Sequence, residues 1–107
     1  MEIKQYQIVV VNLDPTVGSE IKKTRPCAVV SPNEMNDWLK TVVIVPLTTS
    51  NKNYPTRVKV KYQDREGRIA IDQIRTIDKR RIIKVSGQLS KKEIQDVKNV
   101  IEHTFVL

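Results

Sequence analysis

The fold is decided by two apolar runs and the polar loop between them, in the segment Gln7-Ile8-Val9-Val10-Val11-Asn12-Leu13-Asp14-Pro15-Thr16-Val17-Gly18-Ser19-Glu20-Ile21-Lys22-Lys23-Thr24-Arg25-Pro26-Cys27-Ala28-Val29-Val30. Apolar runs this continuous predict strands buried on both faces, from about Tyr6 to Asn12 and from Pro26 to about Ser31. Turn residues from Asp14 to Gly18 predict a long flexible loop, and such loops often hold a binding site over a rigid scaffold. Arg25 closes that loop, and Pro26 biases it towards extended backbone. We therefore expect Arg25 to face a phosphate.

The rest of the chain predicts further short strands separated by turns. A third apolar strand spans Thr41 to about Leu47, and the clean alternation of Val58, Val60 and Tyr62 with basic residues predicts a fourth. Residues 63–67 are predicted as a turn, and residues 76–81 as a turn or a short helical piece. Two more short strands are predicted at 69–71 and at 82–85, the last of them stopped by Gly87.

Two helices are predicted. Ser31-Pro32-Asn33-Glu34 is typical of a helix start with Ser31 as N-cap, and this short helix runs through Trp38. We expect Trp38 to pack on the core, and stacking on a base is the alternative. Ser90-Lys91-Lys92-Glu93 fits a capping box, and the following residues Ile94, Val97, Ile101 and Phe105 form one apolar face. The pattern predicts a mainly β fold with a C-terminal helix, a small antiparallel barrel, as one domain over residues 1–107.

Composition favours a globular chain with a polyanionic partner. The 107 residues are 39% hydrophobic and 29% charged, with a formal net charge of +7. A basic balance of this size favours nucleic acid as a partner, and simple solubility is the alternative. The only cysteine, Cys27, lies in an apolar run and is expected in the core. With no signal-peptide pattern and no membrane-length apolar run, we expect a cytoplasmic location.

The residue inventory narrows the chemistry. One histidine, His103, and one cysteine cannot build an ordinary zinc site, and the glycine-rich nucleotide loops are missing, so we expect no metal and no cofactor. RNA cleavage is still within reach, because the 2′-hydroxyl of RNA is an internal nucleophile. Arg25 could stabilise charge on the phosphorus, and Thr48 could donate a hydrogen bond to a phosphate oxygen. The alternatives are an ion pair of Arg25 with Glu20 and ordinary strand-end bonding of Thr48.

Three blocks also carry a family resemblance. They are Val11 to Glu20 followed by Thr24-Arg25-Pro26, then Val45-Pro46-Leu47-Thr48-Thr49 with Tyr54-Pro55, and finally Asp72-Gln73-Ile74-Arg75-Thr76-Ile77-Asp78-Lys79. Because the three blocks occur in this order and at this spacing, the chain resembles the MazF/PemK (Kid-like) toxins of bacterial type II toxin–antitoxin systems over nearly its whole length.

The resemblance implies an SH3-like barrel that works as a homodimer and cuts single-stranded RNA at specific sequences without a metal. Cleavage would leave a 2′,3′-cyclic phosphate and a 5′-hydroxyl, with Arg25 and Thr48 as the catalytic pair. A cognate MazE-like antitoxin would cover the RNA groove with an acidic tail, and the complex of the two would bind DNA. The residues it implies for RNA binding are Thr16, Ser19, Lys22, Lys23, Thr49, Ser50, Gln73 and Arg75.

Proton transfer and two rival functions stay open from the sequence. A guanidinium is a poor base at neutral pH, so Glu20 and Asp72 are the carboxylates proposed for proton transfer. Asp72 could instead pair with Arg75 and only fix a turn. The rival functions are a gyrase poison of the CcdB type and a catalytically silent RNA- or peptide-binding barrel.

Overall fold

A computed structural model describes residues 1–106 of the chain. Over these residues seven strands and two α-helices form, in the order β1 Gln7–Asn12, β2 Thr24–Val29, α1 Asn33–Trp38, β3 Thr41–Thr48, β4 Arg57–Tyr62, β5 Arg65–Ala70, β6 Arg75–Asp78, β7 Ile82–Gln88 and α2 Lys91–Ile101. Short 3-10 turns precede and follow β6, at Ile71–Gln73 and Lys79–Arg81.

All the strand pairs are antiparallel, and they make one curled sheet. The strand order is β4-β5-β3-β2-β1-β7, with β6 also paired to β3. One edge of β3 pairs with β6 through Thr41–Ile44 and then with β5 through Leu47 and Thr48. The outermost strands, β4 and β7, lie close to each other. This is shown by the hydrogen bond between the hydroxyl groups of Tyr62 on β4 and Ser86 on β7. The predicted mainly β barrel with a terminal helix is therefore confirmed.

Both faces of the central strands are buried, as their continuous apolar runs predict. Val9, Cys27 and Ile44 belong to one core cluster, whereas Ala28 and Val45 belong to the other. The second cluster also holds Val97 of α2, with Ile94, Val100 and Ile101 packed against it. Phe105, the last residue of the predicted apolar face, does not pack against this cluster, and 54% of it is exposed.

Helix α2 begins with the predicted capping box. The Ser90 hydroxyl accepts from the Glu93 backbone N–H, and the Glu93 carboxylate accepts from Ser90 N–H at 2.9 Å. The other Glu93 oxygen accepts from the Lys61 backbone at 2.8 Å, so the same side chain ties the helix to strand β4. Beyond Ile101 the helix continues as a π-helical turn to Val106. No helix within residues 1–106 is long and apolar enough to cross a bilayer.

Two predictions about helix α1 are wrong. Pro32, not Ser31, takes the N-cap position, and no side chain in the described part of the chain caps the helix. Ser31 is buried, where its hydroxyl donates to Asn36 and accepts from the Val43 N–H. Because Asn36 takes the inward position of this short helix, Trp38 lies about 200° further round the axis and points outwards. Trp38 is 86% exposed rather than packed on the core.

Several strand limits also differ from the prediction. The segment 76–81, predicted as a turn or a short helical piece, is divided: Lys79–Arg81 form a 3-10 turn, as predicted, but 76–78 belong to β6. Pairing with β3 supplies hydrogen bonds to β6 that the short polar sequence does not indicate. Ile71, predicted in a strand, starts a 3-10 turn. Residues 65–67, predicted as part of a turn, belong to β5, and only Gln63 and Asp64 make the hairpin turn, with φ of 50° and 63°. Positive φ at both central residues is typical of a tight two-residue hairpin.

Candidate active site

A cleft of about 440 Å³ joins the loop-closing end of β2 to the end of β3 and to the β4–β5 hairpin. It is lined by Arg25, Pro26, Leu47, Thr48, Thr49, Tyr62, Gln63, Arg65, Glu66 and Gly67. Arg25 and Thr48, the pair expected to act on phosphate, therefore share one cleft, and both are half-buried.

Strand register brings these side chains to the same place. Cys27 pairs with Pro46, so continuing the antiparallel ladder by two residues sets Arg25 beside Thr48. Thr48 then pairs with Arg68 of β5, and Arg68 pairs with Lys59 of β4. Residues in register across neighbouring strands lie on one face of a sheet, so three cationic side chains and one hydroxyl form a row across four strands.

Arg25 is held by the loop rather than by an acidic partner. Its Nε donates to the Lys22 carbonyl at 3.1 Å. Glu20, the alternative ion-pair partner, instead accepts from the Val17 backbone N–H at 2.6 Å. The remaining guanidinium donors of Arg25 can therefore reach an anion in the cleft. The Thr48 hydroxyl accepts from the Ser50 N–H at 3.2 Å, which leaves its proton available to donate.

The β5 side of the cleft is built around a buried arginine. Only 7% of the Arg68 side chain is exposed. Its guanidinium donates to Glu66 at 3.2 Å, to the Gly67 carbonyl at 3.4 Å and to Asn53 at 3.2 Å. Arg68 thus fixes the segment that follows Thr48 and also the carboxylate of Glu66.

Glu66 is an ionised carboxylate at the cleft wall. The hydrogen bond from Arg68 and the positive charge of Lys59, 3.7 Å away, hold its pKa below the usual range. Its side chain keeps 60% exposure, so it is accessible from the cleft. A Cβ on the adjacent Gly67 would lie 3.3 Å from the Thr48 carbonyl, which shows how closely β5 approaches the candidate catalytic strand.

The polar loop packs over a neighbouring cleft of about 430 Å³, referred to below as the loop cleft. Its lining residues are Leu13, Val17, Ser19, Glu20, Ile21, Pro46, Asp72, Gln73, Ile74 and Arg75. The amide side chain of Gln73 clasps the loop: its oxygen accepts from the Ile21 N–H at 2.5 Å, and its nitrogen donates to the Ser19 carbonyl at 3.2 Å. Arg75 donates to the Leu13 carbonyl at 3.0 Å. The predicted loop is thus tied to β6 and to the turn before it.

Asp72 does not pair with Arg75. Its carboxylate accepts from Arg57 Nε at 2.8 Å, from Arg57 Nη2 at 3.1 Å and from the Thr56 hydroxyl at 2.9 Å. These bonds, chiefly that from Arg57, hold the pKa of Asp72 below its usual range. The alternative pairing is wrong because Arg75 points to the start of the loop, whereas β4 brings Arg57 to Asp72.

Most of the sequence-predicted site residues therefore fall into two groups, and three lie elsewhere on the loop. Arg25, Thr48 and Thr49 line the first cleft, with Ser50 bonded to Thr48 beside it. The second group, Ser19, Glu20, Asp72, Gln73 and Arg75, lines the loop cleft. On the exposed surface of the loop, Lys22 and Lys23 lie beside Arg25 in the chain, and the Thr16 hydroxyl donates to Asp14 at 3.1 Å.

Sequence reasoning missed the hairpin wall of the first cleft, namely Tyr62, Gln63, Arg65, Glu66 and Gly67. Had the predicted turn been limited to Gln63-Asp64, the prediction would have placed Glu66 inside a strand, opposite the basic residues of β4. No three His, Cys, Asp or Glu side chains gather within residues 1–106 in a way that could hold a metal ion.

Cys27 is buried in the core, as predicted. Desolvation raises the pKa of its thiol to about 12, against the opposing influence of Arg75 and Arg25. The thiol is therefore protonated and inert at neutral pH.

Comparison with known proteins gives a consistent result. The chain is 37% identical over 89 residues to the "Endoribonuclease toxin MazF" of Escherichia coli (strain K12), which covers 82% of this chain and 80% of that protein. It is 29% identical over 106 residues to the "Endoribonuclease MazF" of Staphylococcus saprophyticus, with coverages of 94% and 88%.

Solved structures share the fold over the full length. MazF (Form-I) from Deinococcus radiodurans superposes with a TM-score of 0.88 at 22% identity, covering 100% of this chain and 99% of that one. An "endoribonuclease in complex with its cognate antitoxin" from Mycobacterial species gives 0.83 at 23% identity, with coverages of 98% and 96%. Residues 4–105 match the family profile described as "PemK-like, MazF-like toxin of type II toxin-antitoxin system". On that match and on the 37% identity, the chain belongs to the PemK-like, MazF-like toxins of type II toxin–antitoxin systems.

Proposed function

We propose that this chain is the toxin of a type II toxin–antitoxin pair and acts as a sequence-specific endoribonuclease on single-stranded RNA. The observation that carries the proposal is the convergence of Arg25 and Thr48 in one cleft, in a chain whose curated relatives are named endoribonucleases. The net charge of +7 supports a polyanionic substrate.

The cleavage needs no nucleophile from the protein. The 2′-oxygen attacks the adjacent phosphorus, the bond from phosphorus to the 5′-oxygen breaks, and a 2′,3′-cyclic phosphate and a 5′-hydroxyl result. Arg25 stabilises the charge that builds on the non-bridging oxygens, because its planar donors suit a phosphate and its charge is permanent. Thr48 donates one further hydrogen bond. These fixed donors supply the electrostatic stabilisation, so the proposed reaction is metal-independent.

RNA binding is proposed to extend from the first cleft onto the loop. Thr49 and Ser50 continue from Thr48, and Lys22 and Lys23 offer exposed charge to the backbone. The remaining proposed contacts, Thr16, Ser19, Gln73 and Arg75, lie on the loop or at the loop cleft that it covers. The hydrogen bonds from Gln73 to the loop hold its donors in place, which supports sequence-specific reading of unpaired bases.

Glu20 and Asp72 remain the carboxylates proposed from the sequence for proton transfer. Both line the loop cleft. The two clefts are neighbours, because Pro46 lines the loop cleft and the next residue, Leu47, lines the first cleft. Asp72 is ionised but engaged by Arg57 and Thr56, and Glu20 is engaged by the Val17 amide. Their Asn and Gln variants belong in the same assay as those of Arg25 and Thr48.

The chain is proposed to act as a homodimer that a MazE-like antitoxin inhibits. Within the described residues, β7 pairs only with β1, and its Ile83 and Val85 are 56% and 40% exposed. An exposed apolar edge strand of this kind favours pairing with another chain. Solved relatives include complexes of MazF with its antitoxin, which supports the same partner here. We place the chain in the cytoplasm with its RNA substrate, and DNA binding by the toxin–antitoxin complex stays a prediction.

The test is cleavage of a long mixed-sequence RNA in EDTA, with cut sites mapped and the 3′ ends identified. Wild type should give discrete cuts that end in a cyclic phosphate. Arg25→Ala and Thr48→Ala should each lower the rate by roughly 10²–10³-fold, the typical loss on removing one transition-state donor. Matched controls are Arg80→Ala, whose side chain is 90% exposed, and Thr76→Ala, which is exposed on β6.

Three results would contradict all or part of the proposal. If wild type binds RNA as a folded dimer but makes no cut, the chain is a silent binding barrel. If cutting survives in Arg25→Ala, the chemistry lies on other residues. Cutting that EDTA abolishes would contradict metal independence alone.

A further inference from the structure

Among the residues of 1–106 that line the first cleft with Arg25 and Thr48, Glu66 is the one carboxylate. The two carboxylates suggested by the sequence, Glu20 and Asp72, line the loop cleft instead. A general base must come within hydrogen-bond reach of the proton that it removes. On this criterion the hairpin wall, rather than the polar loop, supplies the base.

We propose that Glu66 is the general base that removes the proton from the attacking 2′-hydroxyl, and that Arg68 and Lys59 position its carboxylate. This inference rests on the proposed ribonuclease function and assigns the group that accepts the proton of the 2′-hydroxyl. The 2′-oxygen forms its bond to phosphorus as its proton passes to Glu66. The bond to the 5′-oxygen breaks with its electron pair, and that oxygen takes a proton from water.

Strand geometry aims Glu66 at the reaction. Arg68 is in register with Thr48, and Glu66 lies two residues before Arg68 on the same strand, so both side chains leave the same face. Glu66 is therefore diagonal to Thr48 across neighbouring strands. Diagonal neighbours in a sheet are about 7–8 Å apart, which is a suitable gap for a ribose and its phosphate.

The surroundings of Glu66 keep it charged and fixed. Arg68 Nη1 donates to Glu66 Oε2 at 3.2 Å, and Lys59 Nζ lies 3.7 Å from Glu66 Oε1. Across the hairpin Glu66 pairs with Lys61, and Arg65 precedes it. Helix α2 brings Lys92, Glu93 and Asp96 to the groove that Glu66 shares with β4. Cations from the two strands dominate this environment, which agrees with the lowered pKa of the Glu66 carboxyl.

The test compares Glu66→Gln with wild type in single-turnover cleavage of a short RNA that spans a mapped cut site, between pH 4 and 8. Removing a general base typically costs 10²–10⁴-fold in rate. We expect a loss of that size in Glu66→Gln, together with loss of the acidic limb of the pH profile. Affinity for the same RNA carrying a 2′-deoxyribose at the cut site should change less than threefold, because the fold and the cationic row are retained.

Two further variants separate a base from a structural ion pair. Glu2→Gln removes a carboxylate that also lies 3.7 Å from a lysine, but at the chain start, and it should cleave like wild type. Lys59→Gln keeps Glu66 but removes one of its cations, so the acidic limb should move to higher pH. A purely structural role for Glu66 would not move that limb.

The outcomes distinguish this inference from the function on which it rests. If Glu66→Gln cleaves within threefold of wild type while Arg25→Ala is inactive, the ribonuclease stands and Glu66 is not its base. If Glu20→Gln or Asp72→Asn instead loses the acidic limb, the base lies in the loop cleft and our assignment is wrong. If wild type makes no cut at all, the proposed function fails first.

Discussion

Replacing Gln73 with alanine should release the polar loop without unfolding the barrel. The Gln73 amide accepts from Ile21 N–H at 2.5 Å and donates to the Ser19 carbonyl at 3.2 Å, so alanine removes two hydrogen bonds between distant parts of the chain. Each such bond contributes a net of about 0.5–1.5 kcal/mol, and the pair about 1–3 kcal/mol. Since 1.4 kcal/mol is tenfold, loop opening should become roughly 5- to 150-fold more frequent.

Hydrogen exchange of the Ile21 amide measures this opening directly. In Gln73→Ala that amide should exchange faster by the same factor, while amides of the central sheet, such as those of Ala28 and Val45, keep their wild-type protection. Gln73→Glu keeps the acceptor for Ile21 but loses the donor to Ser19, so its effect should be intermediate. The opening should stay local, because Ile21 also packs against the core.

Two results would refute this reasoning. A change of less than twofold at Ile21 would mean that the side-chain clasp does not hold the loop. An equal loss of protection in the sheet would mean that Gln73 supports the whole barrel, and the melting temperature would then fall in parallel.

Three further predictions concern stability and reactivity. Val97→Ala on α2 leaves a cavity at a fully buried site, so the free energy of unfolding, measured in urea, should fall by about 1.5–3 kcal/mol while cleavage is retained. A loss under about 0.5 kcal/mol would mean that the helix packs weakly on the sheet. Because the pKa of Asp72 is lowered by Arg57, its contribution exists above the unfolded value near 3.8 and fades as the pH falls through the folded one. With 36% of the side chain exposed, Asp72→Asn should lose only about 0.5–1 kcal/mol at pH 7 and progressively less on acidification, and a loss that does not shrink as the pH falls would contradict the assignment. Cys27 should resist a thiol-specific disulfide reagent at pH 8 until the protein unfolds, and rapid labelling of the native state would show that the core opens there.

The sequence predicted the elements whose cause is local. Continuous apolar runs identified β1, β2 and β3, alternation identified β4, and Ser90 with Glu93 identified the start of α2. These signals are short-range, because side-chain periodicity and capping chemistry depend on residues a few positions apart. Arg25 and Thr48 could also be named in advance, since Arg25 closes the polar loop and Thr48 ends an apolar run, each in a block that resembles a known family. Their meeting in one cleft agrees with that expectation.

Tertiary structure decided what depends on pairing between distant strands. Strand β6 forms because β3 offers an edge to a polar stretch, and Asp72 bonds Arg57 rather than Arg75 because β4 crosses near it. Glu66 reaches the cleft only because the hairpin turn is two residues long and β5 docks beside Thr48. A shift of one residue in that register would turn Glu66 to the opposite face of the sheet, and no short-range pattern in the sequence fixes it.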